Sequence, residues 1–303
     1  MRPTLRQLEY ALAVADHGSF HRAAEACHVS QPGLSAQLKQ LERLLDVQLF
    51  ERDKRRVLIT PAGRDLVERA RRILTASDEL VEAARSVAEP LAGPLRLGVI
   101  PTIAPYLLPQ VLPAVRRAHP LLRLRLREDH TERLLAALDR GELDLLLLAL
   151  EVDLGEVERL ALFRDPFVLA APAGHPLAAR ECVDELCLGG EQLLLLEDGH
   201  CLRDQALSVC GRVGASELGD FRASSLSTLV QMVAAGEAIT LLPQLALAVE
   251  APRAASLCLR PFCAPAPYRS IGLVWRPSSP RGEAFRQLAE LFTPPGWPPA
   301  NDD

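Results

Sequence analysis

The strongest constraint on the fold of this 303-residue chain is a series of apolar runs that begins after residue 94. Runs such as "LDLLLLAL" leave no face for solvent, which is typical of strands covered on both sides. Stretches with helical spacing separate them, for example Pro105–Ala118 and Thr131–Arg140. This alternation predicts an α/β domain with mostly parallel sheets, and about 200 residues of such chain predict two small lobes rather than one. The predicted strands are LRLGVI, LRLRLRE, LDLLLLAL, FVLAAP, QLLLLE, AITLLP and SIGLVWR.

The N-terminal part of the chain carries a different pattern, with helical periodicity and two good helix caps. Ser19 is suited to cap a helix in "FHRAAEACH", and Ser30 a second helix in "QPGLSAQLKQLERLL", where a proline is tolerated in the first turn. Two short helices joined by a brief turn are typical of a helix-turn-helix, whose second helix enters the major groove of DNA. The residues expected near base edges are Ser30, Gln31, Pro32 and Ser35, with Lys39 as a weaker candidate.

A basic hairpin is predicted directly after this motif, in "LFERDKRRVLIT". A lone basic cluster is more often an ordinary solvated hairpin. Its position after a helix-turn-helix instead favours a wing that lies against the DNA backbone. Arg52 and Arg55 are then expected near phosphates.

One long helix is predicted over 61–89, with Thr60 as N-cap and Pro61 at its first position. It has no core of its own, which favours a dimerisation helix and linker over a solvent-bridging spacer. The segment "PLAGPL" marks the following boundary. The predicted domains are an all-α winged helix-turn-helix over 1–60, a linker helix over 61–92 and an effector domain over 93–303, with lobe I at 93–165 and 269–303 and lobe II at 166–268.

The charge distribution favours a nucleic-acid partner for the N-terminal module. The net charge is −5, but residues 1–64 carry +3 and the remainder −8, so a basic module is joined to an acidic body. No apolar run is long enough to span a membrane, and the N-terminus lacks a signal-peptide pattern. We therefore expect a cytoplasmic protein without membrane association, whose seven cysteines are mostly reduced and whose disulfides are transient or redox-sensing.

The segment "GHCLRDQALSVC", from Gly199 to Cys210, contains two cysteines nine residues apart. In one continuous helix they would be about 13.5 Å apart along the axis and on opposite sides, whereas a disulfide needs Cα atoms within roughly 7 Å. A bond between them would therefore require local refolding. The residues alone leave three interpretations open: two small buried side chains, a metal site that includes His200, or a thiol that reacts. No CxxC or HxxxH spacing supports the metal site.

Other cysteines of the effector region have no distinctive neighbours. Cys182, Cys187, Cys258 and Cys263 are expected to be structural. Cys182 and Cys187 are the pair that harsh oxidation would be expected to reach.

The stretch "SFHRAAEACHVSQPGLSAQLKQLERLLDVQLFERDKRRVLITPAG" resembles the DNA-binding module of LysR-type transcriptional regulators, and the α/β remainder is similar to their hinged, periplasmic-binding-protein-like effector domain. Four further stretches resemble the branch of this family that senses hydrogen peroxide: GHCLRDQALSVC, VIPTIAPYLLP, ASSLSTLVQMVAAGEAITLLP and SIGLVWRP. The resemblance implies an activator of an oxidative-stress response, with Cys201 as peroxidatic and Cys210 as resolving residue. It also implies a peroxide pocket formed or supported by Thr102, Thr131, His200, Arg203 and Asp204.

Each of these pocket residues has a physical reason to be there. His200 and Arg203 are expected to supply positive charge that favours the Cys201 thiolate. Thr102, after the first effector strand, and Thr131, at the start of a helix, are expected to place hydroxyl donors at strand ends, where open α/β sheets bind ligands.

The resemblance also implies the partners: double-stranded DNA, further copies of the chain in a dimer of dimers, and RNA polymerase. It implies no metal and no cofactor, with hydrogen peroxide as the signal. Asp220 and Ser227 stand where that branch often carries His and Glu, which concerns the switched conformation and the polymerase contact. Two other functions stay open: a LysR-type regulator that binds a small organic effector between its lobes, and a thiol peroxidase. The helix-turn-helix argues against an enzyme, which would gain nothing from it.

Overall fold

A computed structural model of the chain describes residues 2–52, 57–86, 91–211, 214–236, 238–254, 256–294 and 296–297. The chain divides into two compact units, Met1–Ala88 with Asp139–Gly141 and Glu89–Leu138 with Glu142–Asp303. Each unit has its own cluster of buried apolar side chains. None of the described helices combines the length and the apolar character that a bilayer crossing requires.

The first unit begins with three helices, α1 (Leu5–His17), α2 (Phe20–Ala26) and α3 (Gln31–Leu45). The hydroxyl of Ser19 accepts a hydrogen bond from the N–H of Arg22, and that of Ser30 accepts one from the N–H of Gly33. Both predicted caps are therefore confirmed. The turn between α2 and α3 passes through His28, which has a positive φ of 54°. This is the predicted helix-turn-helix.

A short antiparallel pair and a long helix complete the first unit. Strands β1 (Phe50–Arg52) and β2 (Val57–Ile59) form the base of the predicted hairpin, so the unit is not entirely helical. The tip of the hairpin, 53–56, lies outside the described residues. Helix α4 (Pro61–Ser86) begins after Thr60, whose hydroxyl accepts a hydrogen bond from the N–H of Gly63. Apolar side chains of α4 remain exposed at Ile73, Leu80 and Val81.

The second unit is an α/β domain. Its strands are β3 (Gly93–Val99), β4 (Leu122–Glu128), β5 (Leu145–Ala149), β6 (Glu158–Pro172), β7 (Gln192–Leu196), β8 (Ser216–Ala223), β9 (Thr240–Pro243), β10 (Leu257–Pro261) and β11 (Tyr268–Trp275). Its helices are α5 (Ala104–Ala118), α6 (Thr131–Asp139), α7 (Cys201–Gly211), α8 (Leu226–Ala234), α9 (Gln244–Glu250) and α10 (Gly282–Ala289), with 3-10 turns at Pro176–Ala179, Glu185–Leu188 and Ala251–Arg253. The larger sheet has the strand order β10-β6-β11-β5-β3-β4, with β9 also paired to β6, and β7 pairs with β8.

The predicted predominance of parallel pairing is wrong. Strand β3 is parallel to β4 and β5, and β7 is parallel to β8. Strand β11, however, is antiparallel to β5 and β6, and β6 is antiparallel to β9 and β10. A strand that is buried on both faces has the same apolar composition in either direction, so composition does not encode the direction of pairing. The sequence patterns also miss β8, β10 and the first half of β6.

Strand β6 belongs to both lobes of the domain. Its part up to Pro166 pairs with β11, while its part from Phe167 onwards pairs with β9 and β10. A bridge between Leu193 and Ile239 adds β7 to this second group of strands. We refer to β3, β4, β5, β11 and the first part of β6 as lobe I, and to the remaining strands with the last part of β6 as lobe II. The two-lobed α/β architecture is as predicted.

A disulfide between Cys182 and Cys263 lies in lobe II, with Cα atoms 5.3 Å apart. It sits beside a backbone bridge between Val183 and Phe262. The sequence patterns did not predict this pairing, because the partner of Cys182 is 81 residues away and nearness in sequence does not reveal it. Cys187 is a free thiol that accepts a hydrogen bond from Nη1 of Arg180, at 3.1 Å.

Candidate redox site and DNA-binding surface

The Cys201 thiol is at the N-terminus of α7 and is only 6% exposed. The chain enters this helix through Gly199, whose φ is 96°. A side chain at that position would also collide with His130, because a Cβ atom there would lie 2.6 Å from its Nδ1. The turn thus brings the start of α7 against the segments that follow β3 and β4. Together these segments form a tightly packed pocket, without free volume for a water molecule, lined by Ile100, Pro101, Thr102, His130, Thr131, Gly199, His200 and Cys201.

A buried arginine supports one wall of this pocket. Arg269, on β11, is fully buried and pairs with Asp165 on β6, with 2.9 Å between Nη2 and Oδ2. Its Nη1 donates to the hydroxyl of Thr102 at 2.9 Å, and its Nη2 donates to the carbonyl of Thr102 at 3.0 Å. Because the Thr102 oxygen accepts from Arg269, the hydroxyl proton is left available for another acceptor.

Two polar atoms of the pocket are buried without a nitrogen or oxygen partner among the described residues: Oγ1 of Thr131 and Nε2 of His200. The backbone of Ser224 lies beside the His200 imidazole and acts to raise its pKa. Buried polar groups in proteins nearly always have a partner. A small ligand that both donates and accepts hydrogen bonds would satisfy Thr131 and His200 together.

Burial dominates the ionisation of Cys201. It raises the pKa of the Cys201 thiol above the ordinary value. The guanidinium of Arg269 lowers that pKa, as do the neighbouring Thr131 hydroxyl and the backbone N–H of Leu202, while the Glu151 carboxylate raises it; the net shift is upward. The resting thiol is therefore mostly protonated at neutral pH, contrary to the expectation of a thiolate.

The positive charge beside Cys201 comes from Arg269 rather than from His200 and Arg203. Burial lowers the pKa of His200, and the neighbouring His130 lowers it further, so the imidazole is neutral at neutral pH. The guanidinium of Arg203 is 2.7 Å from the carboxylate of Glu217. It also pairs with Asp198 and with the exposed Asp204, so Arg203 and Asp204 support the start of α7 and do not line the pocket.

Cys210 lies at the other end of the same helix and is fully buried. Burial, with the negative charge of Glu185, raises the pKa of its thiol to about 12. The continuous helix separates the two cysteines by about 13.5 Å along its axis. A bond between them therefore requires α7 to unwind, and the two thiols cannot share one metal ion with His200 in this conformation.

Sequence reasoning missed two residues of the site, Arg269 and His130. Arg269 is the single charged residue at the start of the apolar run "YRSIGLVW". A charge in a buried strand requires a partner, so this residue could have been recognised from the sequence. His130 directly precedes Thr131, so the argument from strand ends that selected the threonine applies to the histidine as well.

The residues predicted to contact DNA bases are at the start of α3. Ser30, Gln31, Pro32 and Lys39 are exposed, and Ser35 is half-buried. Arg52 is the last residue of β1, but its side chain and the whole of Arg55 lie outside the described residues. Asp220 ends up on β8, and Ser227 on α8, where its hydroxyl donates to the buried carboxylate of Glu250 at 2.9 Å.

Comparison with known proteins identifies the family. The model of the bacterial regulatory helix-turn-helix protein, lysR family, matches residues 5–64, and that of the LysR substrate binding domain matches residues 88–294. The chain belongs to the LysR family of bacterial transcriptional regulators.

Within that family the chain belongs to the OxyR branch. It is 49% identical over 288 residues to the "DNA-binding transcriptional dual regulator OxyR" of Escherichia coli K12, which covers 95% of this chain and 94% of that protein. A full-length cysteine-to-aspartate variant of Pseudomonas aeruginosa OxyR has a TM-score of 0.77 and 39% identity, with 96% and 95% of the two chains covered. A cysteine-to-serine variant of Corynebacterium glutamicum OxyR with bound H2O2 has a TM-score of 0.65 and 38% identity, with coverage of 96% and 94%.

Proposed function

We propose that this chain is a DNA-binding transcriptional regulator that senses hydrogen peroxide through oxidation of Cys201. The observation that carries the proposal is a buried thiol in a pocket where Oγ1 of Thr131 and Nε2 of His200 have no nitrogen or oxygen partner within the part of the chain that the structure describes. The pocket has no free volume that would hold a water molecule, so the side chains that line it must move slightly to admit hydrogen peroxide, whose two oxygens can each donate and accept hydrogen bonds. The peroxide-bound relative from Corynebacterium glutamicum supports the same assignment.

The first step of the proposed reaction consumes one peroxide molecule. The sulfur of Cys201 attacks one oxygen, the O–O bond breaks, and the thiol proton passes to the departing hydroxide, so the products are a sulfenic acid and water. Negative charge develops on the departing oxygen in the transition state, where fixed donors are most effective. Thr102 is such a donor because Arg269 and Asp165 hold its hydroxyl in place. Neutral His200 is a second polar contact to the peroxide.

The second step converts the oxidation into a structural change. The thiol of Cys210 attacks the sulfenic sulfur of Cys201, a disulfide forms and water leaves. Because the two residues are at opposite ends of α7, this step removes Leu202, Ala206 and Val209 from their buried positions. The resulting rearrangement is the signal. The proposed role is that of a sensor and not an enzyme, because an enzyme would gain nothing from the helix-turn-helix, and no cofactor takes part.

DNA binding is assigned to α3 and the basic hairpin. Ser30, Gln31, Pro32 and Ser35 contact base edges, while Arg52 and Arg55 contact phosphates. One module reads only a short half-site, and the exposed apolar residues of α4 offer a surface for a second copy. The proposed assembly is a dimer through α4 and a tetramer through a second pairing of effector domains, with RNA polymerase as the partner of the DNA-bound form.

A larger cavity of about 410 Å³ beside the thiol pocket favours a second candidate function, regulation by a small organic effector. Its wall includes the buried Glu250, whose Oε1 accepts hydrogen bonds from Tyr106, at 2.8 Å, and from Ser227, at 2.9 Å. An effector bound there would act without Cys201, so the two functions differ in their dependence on the thiol.

The test is DNA footprinting combined with peptide mass spectrometry of the full-length protein. DNA is selected from a random pool with reduced protein, and the complexes are then treated with one equivalent of hydrogen peroxide. The proposal expects a Cys201–Cys210 link, with a loss of about 2 Da, and an altered footprint. Cys201→Ser should keep the reduced footprint and lose the response. A Cys201→Ser variant that still responds like the wild type would refute the proposal.

A further inference from the structure

A cluster of three potential metal ligands lies beside the thiol pocket. His130, Glu197 and His200 each place one ligand atom within 4.8 Å of the other two. The rings of His130 and His200 are 4.3 Å apart between centroids and inclined by 46°. His130 follows β4, whereas Glu197 and His200 follow β7, so two separate strand ends form the cluster. Sequence spacing therefore gave no indication of it, and the sequence analysis predicts no metal.

We propose that His130, Glu197 and His200 bind a divalent cation with the ligand preference of Zn²⁺. Two imidazoles and one carboxylate are a ligand set that zinc accepts in proteins, with the fourth position left open for water or substrate. Calcium and magnesium prefer oxygen ligands and are not expected to bind here.

The environment of His200 is that of a metal ligand. Its side chain is 95% buried, and its Nε2 is without a partner among the described residues. The backbone of Ser224 lies beside the ring and acts on its pKa. Histidines that bind metals usually have a carbonyl or carboxylate close to their second nitrogen, where it helps to orient the ring.

The other two ligands can close around an ion held by His200. In a tetrahedral site with bonds of about 2.0–2.1 Å, ligand atoms are about 3.3 Å apart, so separations of up to 4.8 Å must shrink by at most ~1.5 Å. Glu197 is exposed and His130 is half-buried, so rotations of these side chains can supply the movement. The contact between His130 and Gly199 keeps the His130 ring next to the turn that carries His200.

The shared histidine predicts competition between the cation and peroxide. A cation on Nε2 of His200 would occupy the unpartnered atom that the proposed function assigns to peroxide, and peroxide would lose that contact. Oxidation of Cys201 should therefore be slower in the metal-bound protein. This consequence rests on the proposed function, whereas the binding site itself does not.

The site is tested by titrating metal-free, reduced, full-length protein with Zn²⁺, followed by equilibrium dialysis and elemental analysis. Glu197→Gln removes one ligand and should weaken this site by at least about tenfold, leaving any zinc held by thiols unchanged. His21→Gln is the matched control, because His21 and Glu25 form an exposed pair with 3.4 Å between nitrogen and oxygen. His21→Gln should bind zinc like the wild type. Equal zinc binding by the wild type and Glu197→Gln would overturn the proposal.

The competition is tested by the rate of Cys201 oxidation in the same three proteins with and without zinc. The readout is the ratio of the rates with and without zinc in each protein, because the Glu197 carboxylate also acts on His200 and its loss changes the metal-free reference. Zinc should slow the wild type and the His21→Gln control but have little effect on Glu197→Gln. Equal slowing of all three would overturn the competition. If the metal-free wild type failed to oxidise at Cys201, the proposed function would fail, and the zinc titration would still decide the site.

Discussion

Separate substitutions of the two pocket threonines by valine should have different effects on stability. Oγ1 of Thr102 accepts a hydrogen bond from the buried Arg269, whereas Oγ1 of Thr131 has no nitrogen or oxygen partner among the described residues. Valine keeps the shape of threonine and removes the hydroxyl. Thr102→Val therefore leaves an N–H of the fully buried Arg269 guanidinium without an acceptor. Thr131→Val removes the acceptor of no nitrogen or oxygen donor.

The size of the effect follows from the charge on Arg269. A hydrogen bond to a charged group contributes about 1.5–3 kcal/mol, and each kcal/mol shifts the Tm of a domain of about 200 residues by about 2–4 °C. Thr102→Val should therefore lower the Tm of the effector domain by roughly 3–12 °C, and Thr131→Val by less than about 2 °C. Thr102→Val should also slow oxidation of Cys201 by about 10- to 150-fold, because it loses a donor to the departing hydroxide.

The assay combines differential scanning calorimetry with rapid-quench measurement of Cys201 thiol loss at low peroxide. Thr102→Ser is the control that keeps the hydroxyl, and it should recover most of both losses. Equal Tm values for Thr102→Val and Thr131→Val would show that the bond to Arg269 does not stabilise the fold. A wild-type oxidation rate in Thr102→Val would remove Thr102 from the reaction.

Other predictions concern the switch, the ionisation of the thiols and DNA. In Cys210→Ser, Cys201 should react with one peroxide to give the sulfenic acid, a gain of about 16 Da, and should form no disulfide. Further peroxide should over-oxidise Cys201. A disulfide in this variant would show that another cysteine is the resolving residue. Because the pKa of Cys201 is raised in the folded protein, its alkylation by iodoacetamide should accelerate as pH rises. Cys210 should react more slowly than Cys201, because its side chain is completely buried. Unfolded thiols ionise first, so these groups should also lower the free energy of unfolding as pH rises above about 8.5, measured by urea denaturation. Ser35→Ala should change sequence preference in a binding selection, whereas Arg52→Ala should weaken all sequences alike and reduce the salt slope by about one; an unchanged slope would refute the wing contact.

The sequence predicts those parts of the molecule that depend on neighbours in the chain. Ser19 and Ser30 cap their helices because an N-cap interacts only with the first turn that follows it. The run "LDLLLLAL" forms a central buried strand because its composition allows little else. The direction of β11 and the pairing of Cys182 with Cys263 depend instead on contacts between distant segments, which no local pattern records.

The site also has features that the sequence predicts and features that depend on distant segments. The family resemblance implied Thr102, Thr131, His200 and Cys201 as residues of the site, and all four line one pocket. The charge next to the thiol was assigned to Arg203 because it is near in sequence. Arg269 supplies it in three dimensions, and Arg203 is held by Glu217. The spatial neighbours of a buried group decide its ionisation, and the linear order of residues leaves them undetermined.

The disulfide of lobe II has a topological consequence for the switch. It closes a loop with a sequence separation of 81 residues, which includes β7 through β10 and therefore all of α7. Chain-entropy estimates for a loop of this length give about 4.5 kcal/mol of stabilisation at 25 °C. When α7 unwinds, its 11 residues can lengthen from about 16 Å to about 36 Å of contour. The disulfide joins the two ends of this loop. The additional length of about 20 Å must therefore be accommodated by the segments around α7, between Cys182 and Cys263, and separation of a terminal strand from lobe II cannot accommodate it.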